Sequence, residues 1–195
     1  MSTQNPRIYL AGPEVFHPNS RALGAKKCGI CTAVGLEGVF PLDAELDLSE
    51  LAQDEQARRI SLANEALMRS CDAIIANLTP FRGISMDAGT AFEVGFMRAL
   101  GRPVFAYSNV GVSYAERSAV YRSQTALPFD LDRPELDVEN FGLEENLMIA
   151  IAASESGMQV QTASSGTNSS SLEDLSIFSR CATQAARHLQ GANLH

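Results

Sequence analysis

Ala73-Ile74-Ile75-Ala76-Asn77-Leu78, then Ser85-Met86-Asp87-Ala88-Gly89-Thr90-Ala91-Phe92-Glu93-Val94-Gly95-Phe96-Met97-Arg98-Ala99-Leu100-Gly101, then Pro103-Val104-Phe105-Ala106-Tyr107: the reading of this stretch decides the fold. The first and last runs are continuous, apolar and short, as strands buried on both faces are. The middle segment has helical length. Ser85 or Asp87 can cap its N–H groups, and Gly101 followed by Pro103 ends it. Between Ala88 and Leu100 only Glu93 and Arg98 are charged. So apolar a helix is expected to pack between a sheet and a neighbour. An unpaired carboxylate there is costly, so Glu93 either lies on an exposed stripe or has a specific task.

Working outward, the same alternation extends toward the N-terminus. Arg7 to Pro13 reads as a strand closed by a Gly-Pro breaker, followed by a helix from Asn19 to about Val34. Val39 to Leu42 reads as a second strand running into an acidic loop with Asp43, Glu45 and Asp47. Asp54 to Arg69 is an amphipathic helix, with Ala57, Ile60, Ala63, Leu67 and Met68 at helical spacing. The series β-α-β-α-β-α-β predicts an α/β fold: a doubly wound, mainly parallel sheet, flavodoxin-like or Rossmann-like, flanked by helices.

Toward the C-terminus the signals weaken. A short helix is expected near Tyr114–Tyr121 and another over Glu144–Ala153. Gln161 to Ser171 is rich in Ser, Thr, Gly and Asn and reads as mobile. Leu172 to Leu189 reads as a last amphipathic helix, with Leu175, Phe178, Ala182, Ala185 and Leu189 on one stripe. The expected organisation is a domain over 1–153, a flexible Ser/Thr-rich linker over 154–171 and a C-terminal helix over 172–195.

Composition narrows the function. With 195 residues, 45% hydrophobic, the chain can bury a sizeable core. Its net charge of −8 argues against nucleic-acid polymers, whose affinity comes largely from Lys and Arg on phosphates. No run approaches the ~18 apolar residues of a membrane span. The opening residues lack the apolar core of a secretion signal, so the expected location is the cytoplasm. Cys28 and Cys31 form a C-x-x-C pair without a second pair or a His cluster. A structural zinc needs four ligands, so they read as two helix-borne thiols, and neither metal nor cofactor is expected.

Ligands of open parallel sheets bind beyond the carboxyl ends of the strands. Gly12-Pro13-Glu14, Asp43 and the segment Pro80–Asp87 converge there. No G-x-G-x-x-G, G-x-x-x-x-G-K or G-x-S-x-G occurs, which removes the usual dinucleotide, ATP-phosphate and serine-hydrolase readings. Carboxylate chemistry remains, with Asp87 and Glu93 as the pair. Six helical steps leave them about 120° apart, so Asp87 must act at the helix mouth and Glu93 from below it.

Ile8-Tyr9-Leu10-Ala11-Gly12-Pro13, Phe40-Pro41-Leu42-Asp43, Ala76-Asn77-Leu78-Thr79-Pro80-Phe81-Arg82-Gly83, Asp87-x-Gly89-Thr90-x-x-Glu93-x-Gly95 and Asn146-Leu147-Met148 together resemble the nucleoside 2-deoxyribosyltransferases. The match covers about residues 7–150. The resemblance implies base exchange on 2′-deoxyribonucleosides. It maps the nucleophile onto Glu93, its tyrosine partner onto Tyr9, the grip on the sugar 5′-hydroxyl onto Asp87, and residues lent by a neighbouring subunit onto Asn146 and Met148. Gly12, Pro13, Phe16, Asp43, Asn64, Asn77, Phe81 and Gly89 complete the expected substrate contacts, with Phe16 and Phe81 candidates to sandwich the base. The partners implied are deoxyribonucleosides, free nucleobases and further copies of the chain, with no membrane. One departure stands out: some relatives carry an Asp on the helix before strand three, and Asn64 occupies that place here. An amide is no general acid, which leaves Glu45 or a water to protonate the leaving base. Two alternatives stay open. One is the related hydrolase of deoxynucleoside 5′-monophosphates, which carries Ser where Asp87 stands. The other is a nucleoside-binding module without chemistry.

Overall fold

The structure, a computed structural model, describes residues 5–41, 47–124, 136–164 and 171–192. Its strands are β1 (Arg7–Ala11), β2 (Glu37–Val39), β3 (Ala73–Asn77), β4 (Val104–Ser108) and β5 (Gln161–Thr162). Its helices are α1 (Ser20–Ala33), α2 (Gln53–Arg69), α3 (Ala88–Ala99), α4 (Tyr114–Arg122), α5 (Leu147–Ser154) and α6 (Ser176–Ala192). The strands form one parallel sheet in the order β2-β1-β3-β4-β5. This is the doubly wound α/β arrangement that the alternation predicts.

Period-two alternation splits the strands between two cores. Tyr9, Ala11, Ile74, Ala76, Val104 and Ala106 face one side, where Val94 and Met97 of α3 and Ala150 and Ala153 of α5 cover them. Ile8, Leu10, Ile75, Phe105 and Tyr107 face the other, under Cys31 of α1 and Phe178, Cys181, Ala182 and Ala185 of α6. The chain leaves β1 on one side for β2, then crosses back to β3 on the other. Between β1 and β3 the loops diverge, and their carboxyl ends open a crevice.

Several boundaries differ from the sequence expectation. β2 pairs through Glu37, Gly38 and Val39 with Arg7, Ile8 and Tyr9, earlier than the expected Val39–Leu42. Pro41 has no N–H for a ladder, while the Glu-Gly pair that does bond carries no strand signal of its own. The stretch expected as a linker over 154–171 opens in α5 and continues into β5, where Gln161 and Thr162 pair with Tyr107 and Ser108. Two residues are too few for a periodic pattern. Part of that stretch, residues 165–170, lies outside the described residues. Helix α3 is less enclosed than expected, with Phe92 58% exposed. All four cysteines remain thiols, and burial pushes the Cys31 thiol up to about 12. No helix among the described residues is long and apolar enough to cross a membrane.

The two glycines of α1 have opposite surroundings. A Cβ at Gly24 would meet Cδ1 of Phe40 at 2.5 Å, whereas one at Gly29 meets nothing within 4 Å. Helix propensity favours Ala at either site by about 1 kcal/mol, but overpacking typically costs about 1–3 kcal/mol. Urea denaturation should therefore find Gly29→Ala stabilised by about 0.5–1 kcal/mol and Gly24→Ala destabilised by about 1–2 kcal/mol. Equal shifts of one sign would contradict the packing of α1 on Phe40.

Candidate active site

The crevice contains a cavity of about 320 Å³ lined by Gly12, Val15, Phe16, Pro41, Ile60, Asn64, Asp87, Gly89, Thr90 and Glu93. The segments after β1 and β2 contribute, together with α2 and α3. Gly12 follows β1, and the 3₁₀ turn Pro13–Phe16 carries Val15 and Phe16. Pro41 follows β2, α2 lends Ile60 and Asn64, and the first turns of α3 bring the rest. Ile60 of the apolar stripe on α2 thus borders the cavity instead of the core, which is why it is exposed.

Tyr9 and Glu93 form the centre. The Tyr9 hydroxyl donates to Glu93 Oε1 at 2.6 Å, and Tyr9 itself is fully buried in β1. Burial raises the Glu93 carboxyl to about 7; the Tyr9 bond acts against that shift and the nearby Asp87 charge adds to it. Burial, then the Glu93 charge, push the Tyr9 hydroxyl well above its ordinary range, so it stays a proton donor. Asp87 is the N-cap of α3, its Oδ2 accepting from Thr90 N at 2.9 Å and Thr90 Oγ1 at 3.2 Å. Its Oδ1 has no partner among the described residues. A second, buried carboxylate positions this cap. Glu145 accepts from Ser85 Oγ at 2.7 Å and Met86 N at 3.0 Å, and Arg117 pairs with it at 3.2 Å. Arg117 also donates to the carbonyls of Ile84, Val112 and Glu144, fastening the loop that delivers Asp87.

The expected site residues divide into three groups. Glu93, Asp87, Gly12, Phe16, Asn64 and Gly89 meet in the cavity, with Tyr9 behind Glu93. Pro13, Asn77 and Phe81 stand behind its wall. Asn77 was expected to touch substrate but is fully buried, donating to Glu14 and accepting from Thr79, so both ends of its amide are occupied. Phe16 and Phe81 stack on one another with centroids 5.3 Å apart and planes 11° from parallel. A base between two rings needs roughly 7 Å, two stacking distances of ~3.5 Å, so these two rings as they stand leave no room for the expected sandwich, and of the two only Phe16 lines the cavity. Arg82, at φ +56°, lays its guanidinium 4.8 and 4.6 Å from the two ring centroids. The third group lies elsewhere. Asn146 caps α5 and donates to Glu139, and neither it nor Met148 lines the cavity. Asp43 and Glu45 lie outside the described residues.

Sequence reasoning passed over Lys27, which meets Glu14 at 2.8 Å with both side chains fully buried. A signal existed: Leu23, Lys27 and Cys31 share the inward face of α1 at spacing four, placing a cation on an apolar stripe. Among the described residues no group of three or more His, Cys, Asp or Glu side chains is arranged to hold a metal.

A family model described as nucleoside 2-deoxyribosyltransferase matches residues 8–148. An uncharacterized protein of Schizosaccharomyces pombe is 39% identical over 121 residues, covering 61% of this chain and 57% of that relative's length. Among solved structures, a 2-desoxiribosyltransferase from Leishmania mexicana superposes with a TM-score of 0.57 at 36% identity, over 74% of this chain and 85% of that one.

The environment of Glu93 sets a pH dependence. In the fold it releases its proton near 7, against 4.5 for an ordinary Glu. Between those values the folded chain holds a proton that the unfolded chain has lost. Its contribution to stability therefore falls as pH rises through the window, by about 3 kcal/mol in all. Stability measured against pH, wild type minus Glu93→Gln, should show that decline. Tyr9→Phe removes the bond that opposes the shift, so the midpoint should move higher. A midpoint near 4.5 in the wild type, or a downward move in Tyr9→Phe, would contradict this account.

Proposed function

The chain belongs to the nucleoside 2-deoxyribosyltransferase family, and from that premise we propose that it moves the 2-deoxyribosyl group of a 2′-deoxyribonucleoside to a free purine or pyrimidine base. One observation carries the reading. A carboxylate held by a tyrosine through one oxygen, Glu93 Oε1, keeps Oε2 without a partner among the described residues, inside a cavity of nucleoside size.

In the proposed reaction Glu93 Oε2 attacks C1′ of the sugar, the C1′–N bond breaks, and its electron pair leaves with the base. The resulting deoxyribosyl–Glu93 ester is attacked at C1′ by a nitrogen of the incoming base, which loses its N–H proton to solvent, and the carboxylate departs. Two displacements retain the anomeric configuration. Tyr9 aims the nucleophile and stabilises its ionised form. Phe16 offers one face for stacking, Asn64 offers an amide to the base edge, and Asp87 Oδ1 accepts from the 5′-hydroxyl. No cofactor enters.

Large apolar side chains stand exposed on these helices: Phe92 on α3, and Met148, 72% exposed, with Ile151 on α5. We infer a homo-oligomer that buries these side chains and brings Asn146 and Met148 of one chain toward the Glu93 of another, with two-fold pairs the simplest closure.

The experiment is to mix one deoxynucleoside with a different free base and follow the exchanged nucleoside. Transfer should occur, with Glu93→Gln lowering it by about a thousandfold or more. The 5′-monophosphate should be the poorer donor, because a phosphate beside Asp87 at ~4 Å costs ~1–4 kcal/mol. Release of free base from the monophosphate as the preferred reaction would move the chain to the hydrolases. Binding without turnover would make it a non-catalytic module. Mixing Glu93→Ala with Asn146→Ala subunits should regenerate activity if sites are shared, and none if each chain is self-sufficient.

A further inference from the structure

Behind the cavity wall lies a second carboxylate that the proposed reaction does not use. Glu14 sits in the turn between Gly12 and Phe16, yet its side chain points away from the cavity and is fully buried. Its Oε1 accepts three bonds: from Lys27 Nζ at 2.8 Å, Tyr107 OH at 2.8 Å and Asn77 Nδ2 at 3.0 Å. Its Oε2 has no partner among the described residues and lies close to where a Cβ on Gly12 would be, 2.0 Å from that position. The carboxylate therefore fixes the turn from both sides, by bonds on one oxygen and by close approach to Gly12 with the other.

The C-terminal segment packs against this ion pair. Lys27 Nζ lies 4.7 Å from the ring centroid of Phe178 and 5.6 Å from that of Tyr107. Phe178 belongs to α6 and packs edge-on against Tyr107 at 5.7 Å. Two further ties join the same segment to the strand ends. Asn109, after β4, donates its amide to the carbonyls of Ser171 and Asp174 and its backbone N–H to Thr79 Oγ1, which donates in turn to Asn77. Glu173 Oε1 comes within 3.6 Å of Nε2 of His17, the residue after Phe16. All of these tail residues lie beyond position 148, where the family match stops.

We propose that the segment from Ser171 through α6 is a working part of the substrate pocket, acting through the buried Glu14–Lys27 pair, with Glu14 a positioning residue that holds Phe16 in place to receive the base. The proposal rests on the reading of the cavity as a nucleoside site. A buried ion pair strengthens as water is excluded and its partners are enclosed. Opening the Phe178 side would hydrate Lys27, weaken its grip on Glu14 and loosen the turn. The Tyr9–Glu93 bond, on the opposite face of the sheet, would be left as it is. The signature is therefore a loss of binding without an equal loss of turnover.

The test uses the full chain with Glu14→Gln, Lys27→Met, the double variant and Phe178→Leu. Glu14→Gln and Phe178→Leu should raise KM for the nucleoside about tenfold, as loss of uniform binding does, while kcat changes less than about threefold. Amide hydrogen exchange over Glu14–His17 should quicken. In the double variant no charge is left unpaired, so thermal stability should return. Its neutral bonds are about half as strong, so KM should stay raised. Should Glu14→Gln fail to fold, Phe178→Leu and the surface change Glu173→Gln carry the same comparison. Wild-type KM and exchange in folded Phe178→Leu, or a KM that recovers together with stability in the double variant, would overturn the proposal. If the wild type transfers no deoxyribose at all, the transferase reading fails, and the exchange measurement still decides whether the tail braces the turn.

Discussion

A hydrogen bond ties the sheet to α3: the Tyr9 hydroxyl on Glu93. Tyr9 occupies the middle of β1, flanked by β2 and β3, and cannot move without the sheet. Glu93 lies one and a half turns into α3, so the bond sets how that helix rotates over the strands. Once the rotation is set, Val94 and Met97 enter the core and Phe92 is turned outward. The cap at Asp87 then falls at the cavity mouth. A carboxylate on an apolar helix would otherwise be a defect, and its partner makes it the point from which the local geometry follows.

The sheet carries a matched contrast on its two faces. Glu93 and Glu14 are both largely removed from water, and each accepts from a tyrosine hydroxyl, Tyr9 in one case and Tyr107 in the other. Burial pushes both carboxyls up. For Glu14 the charge and hydrogen bond of Lys27 outweigh burial, and its carboxyl ends below the ordinary range. For Glu93 only the tyrosine opposes burial, and it ends near 7. Lys27 leads the groups that draw the Glu14 carboxyl down, and no cation acts on Glu93 in the same way among the described residues.

The legibility of the chain follows from these forces. Central strands were readable because both faces are buried, and so were Asp87 and Glu93, because a charge at a helix mouth or on an apolar helix is conspicuous in one dimension. Edge elements were not. Glu37-Gly38 becomes a strand only because β1 offers it a ladder, and Gln161-Thr162 only because β4 does. Asn77 entered the expected substrate contacts through the family resemblance, but its amide turns inward to Glu14. The Glu14–Lys27 pair spans a strand end and a helix, and Phe178 closes it from 151 positions beyond Lys27 (178 − 27). Pairings of that separation leave no local trace.

The shortness of the outer strands has a consequence for solubility. The three central strands have five residues each, whereas β2 has three and β5 two. Open N–H and C=O groups at a sheet margin are a template on which other chains can assemble. Here a stray strand meeting either margin finds backbone for only two or three residues, too little to compete with water. The long apolar runs most able to seed such assembly are kept in the middle, already paired on both sides.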